Sequence, residues 1–176
     1  MSLPPDAKLI AKFSDNPFGP DMTGETAPDV QLVAADGKRT PLSSYRGKPV
    51  LLDFWATWCT PCVVSMPKLA DLNHDAASKG LVLLSVDEDE EEKTATDFLA
   101  KHQYTWPNTH DDGKIGDAFK KLGIPLVVLI DAQGKIVFYK SGEDDAGLRK
   151  VLAGLSPQFA SLASTQKPQP CETASK

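Results

Sequence analysis

Residues 49–86 constrain the fold more than any other part of the chain. Pro49 to Trp55 is a nearly continuous apolar run, the pattern of a strand covered on both faces. From about Thr60 to Lys79 the apolar residues return at helical spacing, with Val63, Met66, Leu69, Leu72 and Ala76 as the stripe. Gly80 is its expected stop, and Pro67 is expected to kink it. Leu81 to Val86 is a second apolar run. Strand, helix and strand in this order close as a right-handed crossover with the strands parallel. The expectation is therefore an α/β sandwich around a mixed sheet.

The flanking segments extend that frame. Val30 to Ala34 and Lys38 to Thr40 enclose Asp36-Gly37, a hairpin turn signal, so a small hairpin is expected ahead of the core. Leu42 to Arg46 reads as one helical turn ending at Gly47. After the second strand come a helix from about Glu90 to His102, a short strand or irregular stretch Trp106 to Thr109, and a helix Lys114 to Leu122 closed by Gly123. Leu126 to Asp131 and Lys135 to Lys140 then pair across Ala132-Gln133-Gly134, and a last helix runs from about Asp144 to Leu155. Residues 1–23 read as a loose lead-in, 24–155 as the domain and 156–176 as a flexible tail, rich in Ser, Thr, Gln and Pro and lacking apolar periodicity.

Charge and length exclude several functions. The chain of 176 residues carries a net charge of -5 without a Lys/Arg cluster, which removes the electrostatic footprint of nucleic-acid binding. The longest apolar run, Ile124 to Ile130, falls far short of the ~20 residues that span a bilayer. Lys8 and Lys12 interrupt the apolar core that a signal peptide needs, so none is expected within these residues. Asp87 to Glu92 is a run of six acids, read as the solvated start of a helix, since acids there complement the helix dipole. It emerges at the same sheet edge as the end of the first strand, which leaves a role in partner choice open.

Cys59-Thr60-Pro61-Cys62 carries the chemistry. Three cysteines cannot all pair within one chain, which argues against a disulfide-stapled scaffold, and Cys171 in the tail is expected to be an idle thiol. A zinc site needs four ligands, and Cys171, His74, His102 and His110 stand at no ligand spacing. A purely structural bridge would not explain the placement at a strand end and helix start. There the free N–H groups and the helix dipole favour a thiolate, which makes Cys59 the expected nucleophile. Cys62, one turn later and less wet, is the expected resolving thiol. Thr60 and Pro61 set the first-turn geometry and help tune the reduction potential of the pair. Trp58, beside the thiols, is either rim packing or a client contact.

Asp53-Phe54-Trp55-Ala56-Thr57-Trp58-Cys59-Thr60-Pro61-Cys62, with Pro67 and Gly123-Ile124-Pro125, resembles the thioredoxin superfamily. The lead-in hairpin and the extra segment between the second strand and Pro125 are similar to its extracytoplasmic TlpA/ResA-like branch. The resemblance covers roughly residues 24–155. It implies a thioredoxin fold with an added N-terminal hairpin and an insertion before the strand that follows Pro125. It also implies that Pro125 is cis against the dithiol, with the Ile124 backbone pairing an extended client. Peroxiredoxins share the scaffold, but their pattern needs Pro and Thr where this chain has Leu52 and Ala56. Thioredoxins have an Asp at the position of Asp53, whereas the TlpA/ResA-like branch often has Asn there and a Glu where this chain has Ser65.

Asp53 lies in a strand that looks buried on both faces, so its carboxyl is expected to stay protonated well above ~3.9. The resemblance, with Ser65 in place of the Glu, implies that the Cys62 proton travels through Asp53 by way of a water. The function this implies is thiol-disulfide exchange that reduces protein disulfides outside the cytoplasm, with clients that include cytochrome c maturation components. An upstream thiol donor is implied, and no cofactor, no metal and a monomer are expected. A non-catalytic thioredoxin-like binding module is the alternative.

Overall fold

The computed structural model describes residues 20–34 and 36–163. Cys171 and most of the lead-in and tail lie outside the described residues. Strands β1 (Gln31–Val33) and β2 (Arg39–Pro41) pair antiparallel as the expected small hairpin, followed by a 3-10 turn at Leu42–Tyr45. The core elements are β3 (Val50–Trp55), α1 (Thr60–Ala76), β4 (Val82–Asp87), α2 (Glu92–Lys101), β5 (Asn108–His110), α3 (Lys114–Ala118), β6 (Leu126–Ile130), β7 (Ile136–Ser141) and α4 (Asp145–Leu155).

The five core strands form one sheet in the order β5-β4-β3-β6-β7. β3 pairs parallel with β4 and antiparallel with β6, so the central strand has neighbours of both kinds. Every residue of β3 is buried, as its unbroken apolar run demands. Side chains alternate across the sheet. Leu51 and Trp55 enter one core layer with Met66, Leu69 and Leu72 of α1, Ala95 and Leu99 of α2, and Leu148 and Leu152 of α4. Val50, Leu52 and Phe54 enter the other, beneath Ile115 and Phe119 and the N-terminal segment with Leu32 and Leu42.

α1 continues through Pro67 and buries Cys62, Met66, Leu69, Leu72 and Ala76, while Val63 is only half-buried. A short 3-10 segment, Ala77–Lys79, follows, and Gly80 stops the chain in the left-handed conformation at φ 97°. Two expectations need correcting. The helix from Lys114 ends at Ala118 and not at Leu122, because Lys120 takes a left-handed backbone at φ 51° and the Lys121 N–H returns to the Gly116 carbonyl. Gly123 therefore closes no helix. Residues 157–163, assigned above to a flexible tail, form a 3-10 segment against α4 with Phe159 and Leu162 buried. At ~3 residues per turn these two side chains fall on one face, a period hidden in a stretch otherwise polar or small.

Candidate active site

The dithiol sits where β3 hands over to α1. The Cys59 N–H donates to the Ala56 carbonyl at 3.1 Å, closing a tight turn after the strand, and Val63 N–H donates back to the Cys59 carbonyl at 3.0 Å, opening the helix. Cys59 is the N-cap of α1 and accepts the Cys62 N–H on Sγ at 3.3 Å. Pro61, in the first turn, lacks only an N–H that no intrahelical carbonyl would have taken. Cys59 and Cys62 form a disulfide with an S–S distance of 2.02 Å. Both are buried, Cys59 slightly less so, and both belong to the α1 side of the core. Trp58 next to them is 65% exposed.

The Ile124–Pro125 peptide bond is cis. Ile124 packs against the core layer that holds both cysteines, and its backbone makes no hydrogen bond among the described residues. Pro125 borders a groove shared with Ser65, Leu69, Val127 and Leu148. The Ser65 hydroxyl donates to the Cys62 carbonyl at 2.8 Å, the ordinary back-bond of a helical serine.

Asp53 shares the face of Leu51 and Trp55, which is the face that α1 and the dithiol cover. Its cross-strand neighbours are Ser85 and Val127. It is 2% exposed, and burial alone pushes its carboxyl up to about 7. The Ser85 hydroxyl beside it accepts the Trp106 indole N–H at 2.6 Å.

The acidic run differs from its reading as a solvated helix start. Only Glu90, Glu91 and Glu92 are exposed, while Asp87 and Asp89 are buried. Asp87 ends β4 on the dithiol face, accepts the Asn108 amide at 2.6 Å and pairs with His110 Nδ1 at 3.0 Å. Asn108 in turn accepts the Trp55 indole at 3.3 Å. Burial raises the Asp87 pKa against these partners, and the Asp87 hydrogen bond raises that of His110. Asp89 bonds Thr57, inside the dithiol loop. Sequence reasoning missed Asp87, Asp89, Asn108, His110 and Thr57 as a group. The available signal was position: Asp87 continues the alternation of Leu83 and Ser85 and so points inward.

The dithiol stands where a strand meets a helix, and the Ile124 that precedes the cis-proline packs against the same core layer. The Redoxin family model matches residues 22–155. The chain belongs to the Redoxin family. A thiol-disulfide oxidoreductase ResA from Bacillus thuringiensis is 32% identical over 123 residues, which cover 68% of this chain and 70% of that protein. The ResA from Bacillus subtilis is 32% identical over 120 residues, covering 68% and 67%. The thioredoxin domain of a thiol-disulfide oxidoreductase from Bacteroides vulgatus superposes with a TM-score of 0.65 at 26% identity, covering 71% of this chain and 92% of that one. This Redoxin family member is a ResA-like thiol-disulfide oxidoreductase with the thioredoxin fold and Cys59/Cys62 as its redox-active dithiol. Membership of the thiol-disulfide oxidoreductases implies protein thiol substrates. Among the described residues no helix is long and apolar enough to cross a membrane.

Proposed function

We propose that the chain reduces disulfides of client proteins outside the cytoplasm, with Cys59 attacking and Cys62 resolving. The observation that carries this reading is the position of Cys59 as N-cap of α1, where the helix start favours a thiolate. The Cys59 thiolate attacks one sulfur of the client disulfide, and the other client sulfur leaves with the electron pair. Cys62 then loses its proton and attacks Cys59 Sγ, which forms the Cys59–Cys62 bond and releases the second client thiol. The client gains two electrons and the protein is left oxidised, to be reduced again by an upstream thiol donor.

Asp53 is the acceptor of the Cys62 proton. It shares the sheet face of Leu51 and Trp55, which pack with both cysteines, and a pKa of about 7 suits a group that must both take and return a proton near neutrality. Ser65 occupies the place of the helix carboxyl of similar proteins, and its hydroxyl bonds backbone, so it offers no competing base. Client recognition falls to exposed Trp58, to the Thr60-Pro61 turn, and to the Ile124 backbone ahead of Pro125, unbonded among the described residues, which suits an extended client strand. Placement outside the cytoplasm, a monomeric state and cytochrome c maturation components among the clients rest on the resemblance to the TlpA/ResA-like branch.

The test is trapping. Cys62→Ser should accumulate a mixed disulfide through Cys59, and Cys59→Ser should not. Equal or better trapping by Cys59→Ser reverses the roles of the two thiols, and no client thiol appearing with either the wild type or the variants favours a binding module.

A further inference from the structure

The turn Asp87-Glu88-Asp89 contacts the loop that carries Cys59 and the segment that leads to Pro125. Asp89, 4% exposed, accepts the Thr57 N–H at 3.0 Å on Oδ2 and 3.3 Å on Oδ1, and the Thr57 hydroxyl donates to Oδ1 at 2.6 Å. The Glu88 N–H donates to the Trp55 carbonyl at 3.0 Å. The Glu88 side chain pairs with Lys121 at 2.5 Å, with side-chain exposures of only 21% and 13%. Lys121 lies on the approach to Leu122-Gly123-Ile124-Pro125. One turn after β4 thus holds the loop that delivers Cys59 and the loop that delivers the cis-proline.

We propose that Asp89 is a positioning residue that also holds the Cys59/Cys62 couple on its reducing side. A carboxyl that accepts an N–H on both oxygens and an O–H on one acts purely as an acceptor, the hydrogen-bonding behaviour of an ionised group. Its bonded partner Thr57 stands two residues before Cys59, and two residues span at most about 7 Å of chain. A buried negative charge bonded to the loop that carries Cys59 is weakly screened and opposes a thiolate there. It does nothing comparable to the neutral disulfide, so it raises the free energy of the reduced, ionised state relative to the oxidised one. Glu88 faces Lys121, and Asp87 faces Asn108 and His110, so these neighbouring charges have partners of their own. Among the described residues the Asp89 carboxylate has only the dipolar donors of Thr57.

The exchange with glutathione reads this directly: two glutathione thiols and the Cys59–Cys62 disulfide become glutathione disulfide and the protein dithiol. Asp89→Asn keeps an acceptor oxygen on the Thr57 N–H and removes the charge. Cys59, followed by alkylation rate against pH, should titrate lower in Asp89→Asn. At a pH above that titration the exchange constant should move about threefold or more toward the dithiol, the equivalent of half a pKa unit. A purely structural role weakens oxidised and reduced forms alike and moves neither readout. Unchanged values in folded Asp89→Asn overturn the proposal.

Thr57 supplies an independent arm should Asp89→Asn not fold. Thr57→Val removes the hydroxyl donor and leaves the charge less offset, so Cys59 should titrate higher, while Thr57→Ser should match the wild type. Equal titrations in Thr57→Val and Thr57→Ser overturn the charge argument. The exchange constant belongs to the pair whichever sulfur attacks first, so its failure leaves the trapping result for Cys59 untouched.

Discussion

Replacing Asp53 with Asn should change how stability depends on pH. Asp53 is 2% exposed, and burial raises its carboxyl from 3.8 to about 7. Below 3.8 it is protonated in both the folded and the unfolded chain and contributes no pH dependence. Between 3.8 and about 7 the unfolded chain has released the proton and the folded chain still holds it. Fewer protons on the unfolded chain means that stability falls as pH rises through this window, at up to ~1.4 kcal/mol per unit. The whole window is therefore worth about 4 kcal/mol as an upper bound, and above it the curve flattens.

Asp53→Asn removes the titration. Any fixed cost of burying the amide shifts the variant's curve by a constant and leaves its slope alone. Asp87 and His110 titrate in both proteins and cancel in the difference. The assay is urea unfolding of the oxidised protein at half-unit steps from pH 3.5 to 8, reported as variant minus wild type. That difference should be flat at the acid end, climb in favour of the variant, and level off near neutrality. A flat difference throughout would show that Asp53 ionises in the folded state as it does in the unfolded one, and the buried-acid argument would fail.

Rapid mixing on Asp53→Asn should show a slowed release of client from the mixed disulfide with the first attack by Cys59 nearly unchanged; an unchanged resolving rate removes Asp53 from proton transfer. Adding Ser65→Glu should restore part of that rate, because it places a carboxyl about one helical turn beyond Cys62 on α1. Reduction of a basic disulfide peptide should slow with salt and that of an acidic peptide should quicken if exposed Glu90, Glu91 and Glu92 steer clients, since screening shortens to ~8 Å at physiological ionic strength. Identical responses would leave these acids as a solvated helix start. Phe159→Ala should cost ~3–5 kcal/mol in urea unfolding, because the ring is 1% exposed within the main core; a loss below ~1 kcal/mol would detach residues 157–163 from the domain.

Local pattern was enough for the parts of this protein whose physics is local. The all-apolar run of β3, the helical stripe of α1 and the turn signal at Asp36-Gly37 each dictate an element with its own neighbours in sequence. The Cys59-Thr60-Pro61-Cys62 spacing at a helix start dictates the dithiol chemistry for the same reason. Asp53 was legible too, because a carboxyl inside a doubly covered strand has nowhere to be solvated.

What the tertiary structure decided involves partners distant in sequence. Six consecutive acids read locally as solvated, yet Asp87 and Asp89 are buried because Asn108 and His110 on β5, and Thr57 on the dithiol loop, supply donors 21 to 32 residues away. A composition of Ser, Gln and Ala reads locally as a loose tail, yet α4 offers an apolar face for Phe159 and Leu162. The end of α3 was set by Lys120 and Lys121, the latter drawn to Glu88 across 33 residues rather than by the glycine that follows. In each case a tertiary contact outweighed a local preference worth about 1 kcal/mol or less per residue.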